Sequence, residues 1–252
     1  MNKYIAFLFL AACTSLTANA AKIECRQENI IFVGKIEAGD YQRVVACKNQ
    51  LAAIEQPTKS PILAIASPGG SVSEAMKIGR YVRSNKMWVS IPSEGGVCLS
   101  SCVYILAAGV VRWPWGEVGI HRPYFETKPN QGYDASLKVL LDESRAYFRE
   151  MNIPELLADD MFSIPPQAMR VLGDAALSKY RLNQTDMAFE EENANRNAAA
   201  YGITRQEYMR RLKQQERYMD DCLSTAPKPS STLDVVRCGN WSYKKAGLIH
   251  KN

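Results

Sequence analysis

The chain has 252 residues, of which 46% are hydrophobic, and a formal net charge of +5 at neutral pH. This length suffices for one large domain, or a domain with an appendage, around a substantial core. Basic residues are interspersed with acidic ones instead of forming a run, so no nucleic-acid partner is indicated.

The N-terminus has the layout of a secretory signal peptide. A lysine precedes an apolar run at residues 4–12, and Ala18-Asn19-Ala20 offers small residues around a cleavable bond. We expect cleavage near Ala20 and a mature protein that is periplasmic or secreted. As an alternative, Leu10-Ala11-Ala12-Cys13 resembles a lipobox and predicts a lipoprotein anchored at Cys13. No later stretch approaches the roughly 20 apolar residues of a membrane-spanning helix.

Six cysteines follow the predicted cleavage site, and an even number in an exported protein favours disulfides. Proximity in sequence predicts the pairs Cys25 with Cys47, Cys98 with Cys102, and Cys222 with Cys238. For Cys98 and Cys102, the open alternatives are unpaired buried thiols or a direct chemical role. We expect no metal site, because the chain has two histidines and no second closely spaced Cys/His pair.

The most regular part of the chain alternates strands and helices. Short apolar runs predict strands at residues 62–66, 87–91 and 118–120. A capping box of Ser71 and Glu74 opens a helix of about 13 residues, and residues 99–108 read as a second helix stopped by Gly109. Residues 113–115 are expected to form a loop. The order strand, helix, strand, helix, strand predicts a parallel sheet with right-handed crossovers.

The C-terminal half reads as helical. Residues 135–160 form an amphipathic pattern interrupted by Ile153-Pro154, and a shorter segment ends near Leu182. Residues 189–222 are rich in charged and amide side chains, with a capping box from Thr204 to Glu207. We therefore divide the chain into a signal peptide (1–20), a catalytic domain (21–182) and a helical extension (183–252) closed by a disulfide.

Two glycine-bearing turns are expected at the carboxyl edge of the sheet, where open parallel sheets bind ligands. Their free N–H groups at helix N-termini favour developing negative charge, as in acyl transfer. Ser100, at the start of the second helix, can act as a nucleophile beside the unpaired amide of Ser101. His121, at the end of the next strand, can take its proton and return it to the leaving group.

Three motifs carry a family resemblance: Ser67-Pro68-Gly69-Gly70, Cys98-Leu99-Ser100-Ser101-Cys102 running into Leu106-Ala107-Ala108-Gly109, and Ile120-His121-Arg122-Pro123. In order and spacing they resemble the Clp-protease family, and most closely its exported branch that lacks an ATPase. The resemblance implies an α/β crotonase-type spiral of repeated β-β-α units with a parallel sheet. It also implies Ser100 as nucleophile, His121 as base, and an oxyanion hole built from Gly69 and Ser101, and the glycine turn adds Gly70 as a candidate donor.

The resemblance departs at the third member of the triad. Met169 stands where the family has an aspartate, and the nearby candidates for that role are Asp160 and Asp174, with Asp159 beside them. An alternative base is Lys138, which would form a Ser-Lys dyad if its helix folds over the cleft.

These residues predict a serine peptidase or related acyl hydrolase that acts in the bacterial periplasm through an acyl-serine intermediate. We expect peptide or protein substrates, a homo-oligomer, no cofactor and no ATPase partner. Two alternatives come from other functional classes. One is a non-catalytic binding or assembly module with an eroded triad, and the other is a crotonase-type lyase or isomerase that acts on an acyl-thioester.

Overall fold

The computed structural model of the protein describes residues 21–26, 29–54, 61–124, 132–225 and 231–249. The predicted signal peptide, with Cys13 and Ala20, lies outside these residues. The chain divides into two compact units, one ending at Gln184 and the other beginning at Thr185. In the described part of the chain, no helix is both long and apolar enough to cross a membrane.

The first unit is a mixed α/β structure, as the sequence predicts. Its described strands are β1 (Lys22–Arg26), β2 (Asn29–Val33), β3 (Ile62–Ala66), β4 (Trp88–Ile91), β5 (Val97–Leu99), β6 (Val111–Pro114), β7 (Glu117–Ile120) and β8 (Arg170–Val171). Its described helices are α1 (Asp40–Ile54), α2 (Val72–Ser84), α3 (Cys102–Ala108), α4 (Tyr133–Glu150), α5 (Leu156–Ser163) and α6 (Asp174–Lys179).

The strands form two sheets. The larger has the order β1-β2-β3-β4-β6, and the smaller has the order β5-β7-β8. All pairs from β2 to β6 in the larger sheet are parallel, as is β5 with β7, whereas β1 and β8 are antiparallel edge strands. The predicted parallel sheet is therefore confirmed, and antiparallel strands extend each sheet.

The strand β3 and the helix α2 form where the sequence predicts them. Leu63 and Ile65 are fully buried in β3, and the alternate residues are half-buried, so one face of the strand lies in the core. Ser71 caps α2 by accepting the amide of Glu74 at 3.3 Å. The second hydrogen bond of the predicted capping box, from the Ser71 amide to the Glu74 carboxylate, is wrong. Glu74 instead accepts hydrogen bonds from backbone N–H groups of the segment that enters α1.

Two local predictions are wrong. The expected helix at residues 99–108 begins only at Cys102, because the preceding residues form β5 and pair with β7. The expected loop at residues 113–115 is partly strand, because β6 continues to Pro114 alongside β4. Proline is tolerated there because β6 is an edge strand. Non-local strand pairing thus overrides the local pattern in both places.

The second unit is helical and contains α7 (Met187–Ala200), α8 (Arg205–Thr225) and α9 (Thr232–Lys245) among its described residues. Thr204 accepts the amide of Glu207 at 3.2 Å at the start of α8. The Cys222–Cys238 disulfide joins α8 to α9.

Candidate functional site

Ser100 lies in a tight turn between β5 and α3. Its φ is +56°, which is an uncommon conformation for a residue other than glycine. Its amide donates a hydrogen bond to the carbonyl of Gly119 in β7, at 2.9 Å. Such strained backbone conformations persist where the surroundings hold them, and they cluster at active sites. The strain at Ser100 therefore favours a functional role for this turn.

A disulfide spans the Ser100 turn. Cys98 in β5 is bonded to Cys102 at the start of α3, with their Cα atoms 5.2 Å apart. The structure also contains the Cys25–Cys47 and Cys222–Cys238 bonds, so all three bonds follow the pairing by proximity in sequence.

The glycine turn after β3 packs directly against the Ser100 turn. Gly69 has a φ of +97°. A Cβ atom at Gly69 would lie 2.7 Å from the Cβ of Ser100 and 3.1 Å from the amide nitrogen of Ser101. These distances leave no room for a side chain. The structure therefore brings Gly69, Ser100 and Ser101 together, and this close approach requires a glycine.

The three amides predicted for an oxyanion hole differ in their hydrogen bonds. The N–H of Gly69 is already donated to the hydroxyl of Ser67 at 3.1 Å. Within the described residues, the N–H groups of Gly70 and Ser101 have no hydrogen-bond acceptor. Free donors beside a nucleophile can bind a developing oxyanion. The geometry therefore favours Gly70 and Ser101 as donors, with Gly69 allowing the close approach.

His121 follows the last residue of β7 and shares a cavity with Ser100. The cavity has a volume of about 880 Å³ and is also lined by Gly69 and Gly70. No hydrogen bond joins Ser100 to His121 within the described chain. In structures without substrate, such catalytic bonds are often long and tighten only when substrate binds.

The environment of His121 favours a neutral ring. Its side chain is 7% exposed, and this burial lowers its pKa, while the backbone carbonyl of Pro166 partly opposes the shift. The Nδ1 atom is buried without a hydrogen-bond partner among the described residues. Because a general base must be unprotonated to act, the lowered pKa suits that role.

Met169 directly precedes β8, at the position where the resemblance predicts the triad acid. Gly119 pairs with Val171 and Ile120 with Arg170, so continuing the antiparallel register places Met169 opposite His121. A Cβ atom at Gly119 would lie 2.9 Å from the Sδ atom of Met169. The Met169 side chain thus packs against Gly119, two residues before His121, and a thioether stands at the register position where the family resemblance leads us to expect a carboxylate.

The acidic candidates for the third position do not pair with the Nδ1 atom of His121. Asp160 accepts a hydrogen bond from the hydroxyl of Tyr180, and this bond, opposed by burial and assisted by Lys179, lowers the pKa of its carboxyl group. Asp174 lies in the first turn of α6, and Asp159 accepts from Arg145. None of these carboxylates is hydrogen-bonded to the Nδ1 atom of His121.

The alternative base and a metal receive no structural support. The side chain of Lys138 is 76% exposed, and its amine lies 2.7 Å from Asp142, one turn along α4. It does not line the cavity of Ser100. The described residues contain no group of three His, Cys, Asp or Glu side chains arranged to hold a metal ion.

Comparisons with known proteins agree with the motifs. A family model described as Clp protease matches residues 17–136, a span that includes the glycine turn, the Ser100 turn and His121. Among solved structures, the chain is similar to a mutant of the 1510-N membrane-bound stomatin-specific protease. The identity is 16% over 66% of this chain and 82% of that chain, with a TM-score of 0.47. No curated protein sequence matches the chain.

Proposed function

We propose that this chain, which belongs to the Clp-protease superfamily, is a serine peptidase that cleaves peptides or proteins through an acyl-serine intermediate. The observation that carries the proposal is the convergence on one cavity of Ser100, in a strained turn, with His121 and the Gly69 turn. A merely structural serine at this position would be expected to adopt an unstrained conformation.

The first half of the reaction forms the acyl-enzyme. The Oγ atom of Ser100 attacks the carbonyl carbon of the substrate while His121 takes the hydroxyl proton. The resulting oxyanion accepts hydrogen bonds from the amides of Gly70 and Ser101. When the intermediate collapses, the C–N bond breaks and His121 gives its proton to the leaving amine.

The second half restores the enzyme. A water molecule gives a proton to His121 and attacks the acyl carbon, and the same two amides bind the second oxyanion. The C–O bond to Ser100 then breaks, and the serine recovers its proton from His121. Every proton passes through His121, so the orientation of this ring strongly affects the rate.

A second candidate function is a non-catalytic binding or assembly module with the same fold. The observation that favours it is that the β7–β8 register leads to Met169 where an aspartate would orient the ring of His121. In serine proteases, replacing the orienting aspartate by its amide lowers the turnover rate about 10⁴-fold. We therefore propose a slow peptidase that relies on the Ser100–His121 dyad.

We further propose that the chain acts as a homo-oligomer in the bacterial periplasm, without an ATPase partner. The support for an oxidising compartment is that Cys25, Cys47, Cys98, Cys102, Cys222 and Cys238 are all disulfide-bonded, which is typical of exported proteins. We also propose that the division of the chain into a catalytic domain (21–182) and a helical extension (183–252) is a functional division.

A fluorophosphonate probe, which bonds covalently to activated serines, tests the proposed activity. We expect the folded protein to be labelled on Ser100 and the Ser100→Ala variant not to be labelled. Ser73→Ala is the matched control, because Ser73 presents a second hydroxyl to the same cavity, and it should label like the natural chain. Equal labelling of Ser100→Ala would refute the nucleophile, and an unlabelled natural chain would favour the binding module.

A further inference from the structure

The turn that carries Ser100 is fixed by contacts on both sides. Cys98 in β5 pairs with Val118 in β7. On the opposite side of β5, the amide of Leu99 donates to the carbonyl of Ser67 at 3.0 Å. The end of β5 therefore aligns the Ser100 turn with the glycine turn and with the strand that leads to His121.

The local sequence favours a different conformation for this segment. Residues 99–108 have an apolar helical pattern, yet the helix begins only at Cys102. If Ser100 adopted helical dihedrals, α3 would extend toward its N-terminus, because Ser101 already has a φ of −63° and a ψ of −17°. Ser100 would then leave its left-handed conformation, and its hydroxyl would change direction.

The Cys98–Cys102 disulfide opposes that helical alternative. In a helix, Cβ atoms four residues apart are about 5–6 Å from each other, whereas a disulfide requires about 3.5–4.5 Å. A bond across these two positions therefore does not fit a helix that includes both. Both cysteines are fully buried and neither lines the cavity of Ser100, so the bond does not obstruct that cavity.

We propose that the Cys98–Cys102 disulfide positions the nucleophile by holding Ser100 in its strained turn. This inference rests on the proposed function of Ser100. The cysteines act through Ser100 and are positioning residues. Reduction by a dithiol breaks the S–S bond, gives two protein thiols and oxidises the reagent to its own disulfide. The reduced chain should then have a less reactive serine.

The test compares two double variants that each lack one disulfide. Cys98→Ala/Cys102→Ala removes the bond across the Ser100 turn, and Cys222→Ala/Cys238→Ala removes the bond between α8 and α9 as the matched control. We expect the limiting rate of fluorophosphonate labelling to fall about 10- to 100-fold in the first variant, with half-saturation at an unchanged probe concentration. The control variant should label within about twofold of the natural chain.

The readout separates positioning from stability. Labelling is measured well below each variant's midpoint of thermal unfolding, where loss of a purely structural bond would not change the limiting rate. Equal limiting rates in the two double variants would overturn the inference, even if the first unfolds at a lower temperature. A failure of the proposed function is distinguishable, because the natural chain would then be unlabelled or would be labelled away from Ser100.

A milder variant tests the inference if Cys98→Ala/Cys102→Ala does not fold. Cys102→Ser breaks the same bond and retains the buried Cys98 side chain in β5, and we expect the same loss in the limiting rate. If Cys102→Ser is also unfolded while the control variant folds, the bond is needed for the fold as a whole and the inference is overturned.

Discussion

The two sides of His121 differ in how their residues are held in place. On one side, the glycine turn packs against the Ser100 turn, which the Cys98–Cys102 disulfide spans. On the other side, the β7–β8 register leads to Met169, and the Nδ1 atom of His121 is buried without a hydrogen-bond partner among the described residues. The comparison teaches that the Ser100 side is held by the backbone and a disulfide, whereas His121 has the Pro166 carbonyl beside it and no carboxylate partner.

The largest effect is expected on the nucleophile side, from Gly69→Ala. A Cβ atom there would lie 2.7 Å from both the Leu99 carbonyl oxygen and the Cβ of Ser100. Because the two turns would have to separate, we expect the labelling rate of Ser100 to fall at least about 100-fold. The measurement is the rate of fluorophosphonate labelling of the folded variant.

Gly39→Ala provides the control for backbone strain. Gly39 has a φ of +99°, close to the +97° of Gly69, but no atom lies within 4 Å of its added Cβ. Because alanine disfavours this left-handed conformation, the free energy of unfolding should fall by about 1–2 kcal/mol in both variants. Only Gly69→Ala should lower the labelling rate of Ser100. Equal labelling rates in the two variants would mean that close approach of the glycine turn is unimportant.

The sequence predicts the features of the site that depend on local patterns, and it misses those that depend on distant contacts. The sequence predicts β3, α2 and the spacing of Gly69, Ser100 and His121, because short apolar runs and glycine turns act locally. It does not predict β5 or the strained turn of Ser100, because these depend on pairing with β7, nineteen positions along the chain at Gly119. The free amides of Gly70 and Ser101 likewise become visible only when distant turns pack together.

A gain of function is expected on the opposite side, from Met169→Asp. A carboxylate opposite His121 can accept a hydrogen bond from the ring and stabilise its protonated form during the reaction. We expect the labelling rate at neutral pH to rise about tenfold or more, which is far below the full effect of an orienting aspartate because the surrounding residues have not adapted to it.

Met169→Asn is the matched control for this variant. It has nearly the same size and can accept a hydrogen bond, but it brings no charge. We expect it to label at the rate of the natural chain or slower. A Met169→Asp rate no higher than that of Met169→Asn would show that the ring of His121 is already oriented, and the distinction between the two sides would then disappear.

The smallest effect concerns the pH dependence of labelling in the natural chain. Burial lowers the pKa of His121 below its ordinary value of 6.5, and the carbonyl of Pro166 offsets only part of this shift. Because the neutral ring is the form that accepts the Ser100 proton, the labelling rate should rise with pH and reach half its plateau below pH 6.5.

In Met169→Asp the added carboxylate favours the protonated ring, so the midpoint should move to higher pH. Rates measured across the acidic and neutral range, corrected for hydrolysis of the probe, decide the point. A natural-chain midpoint above 6.5, or identical midpoints in the two proteins, would contradict a buried base without a carboxylate partner.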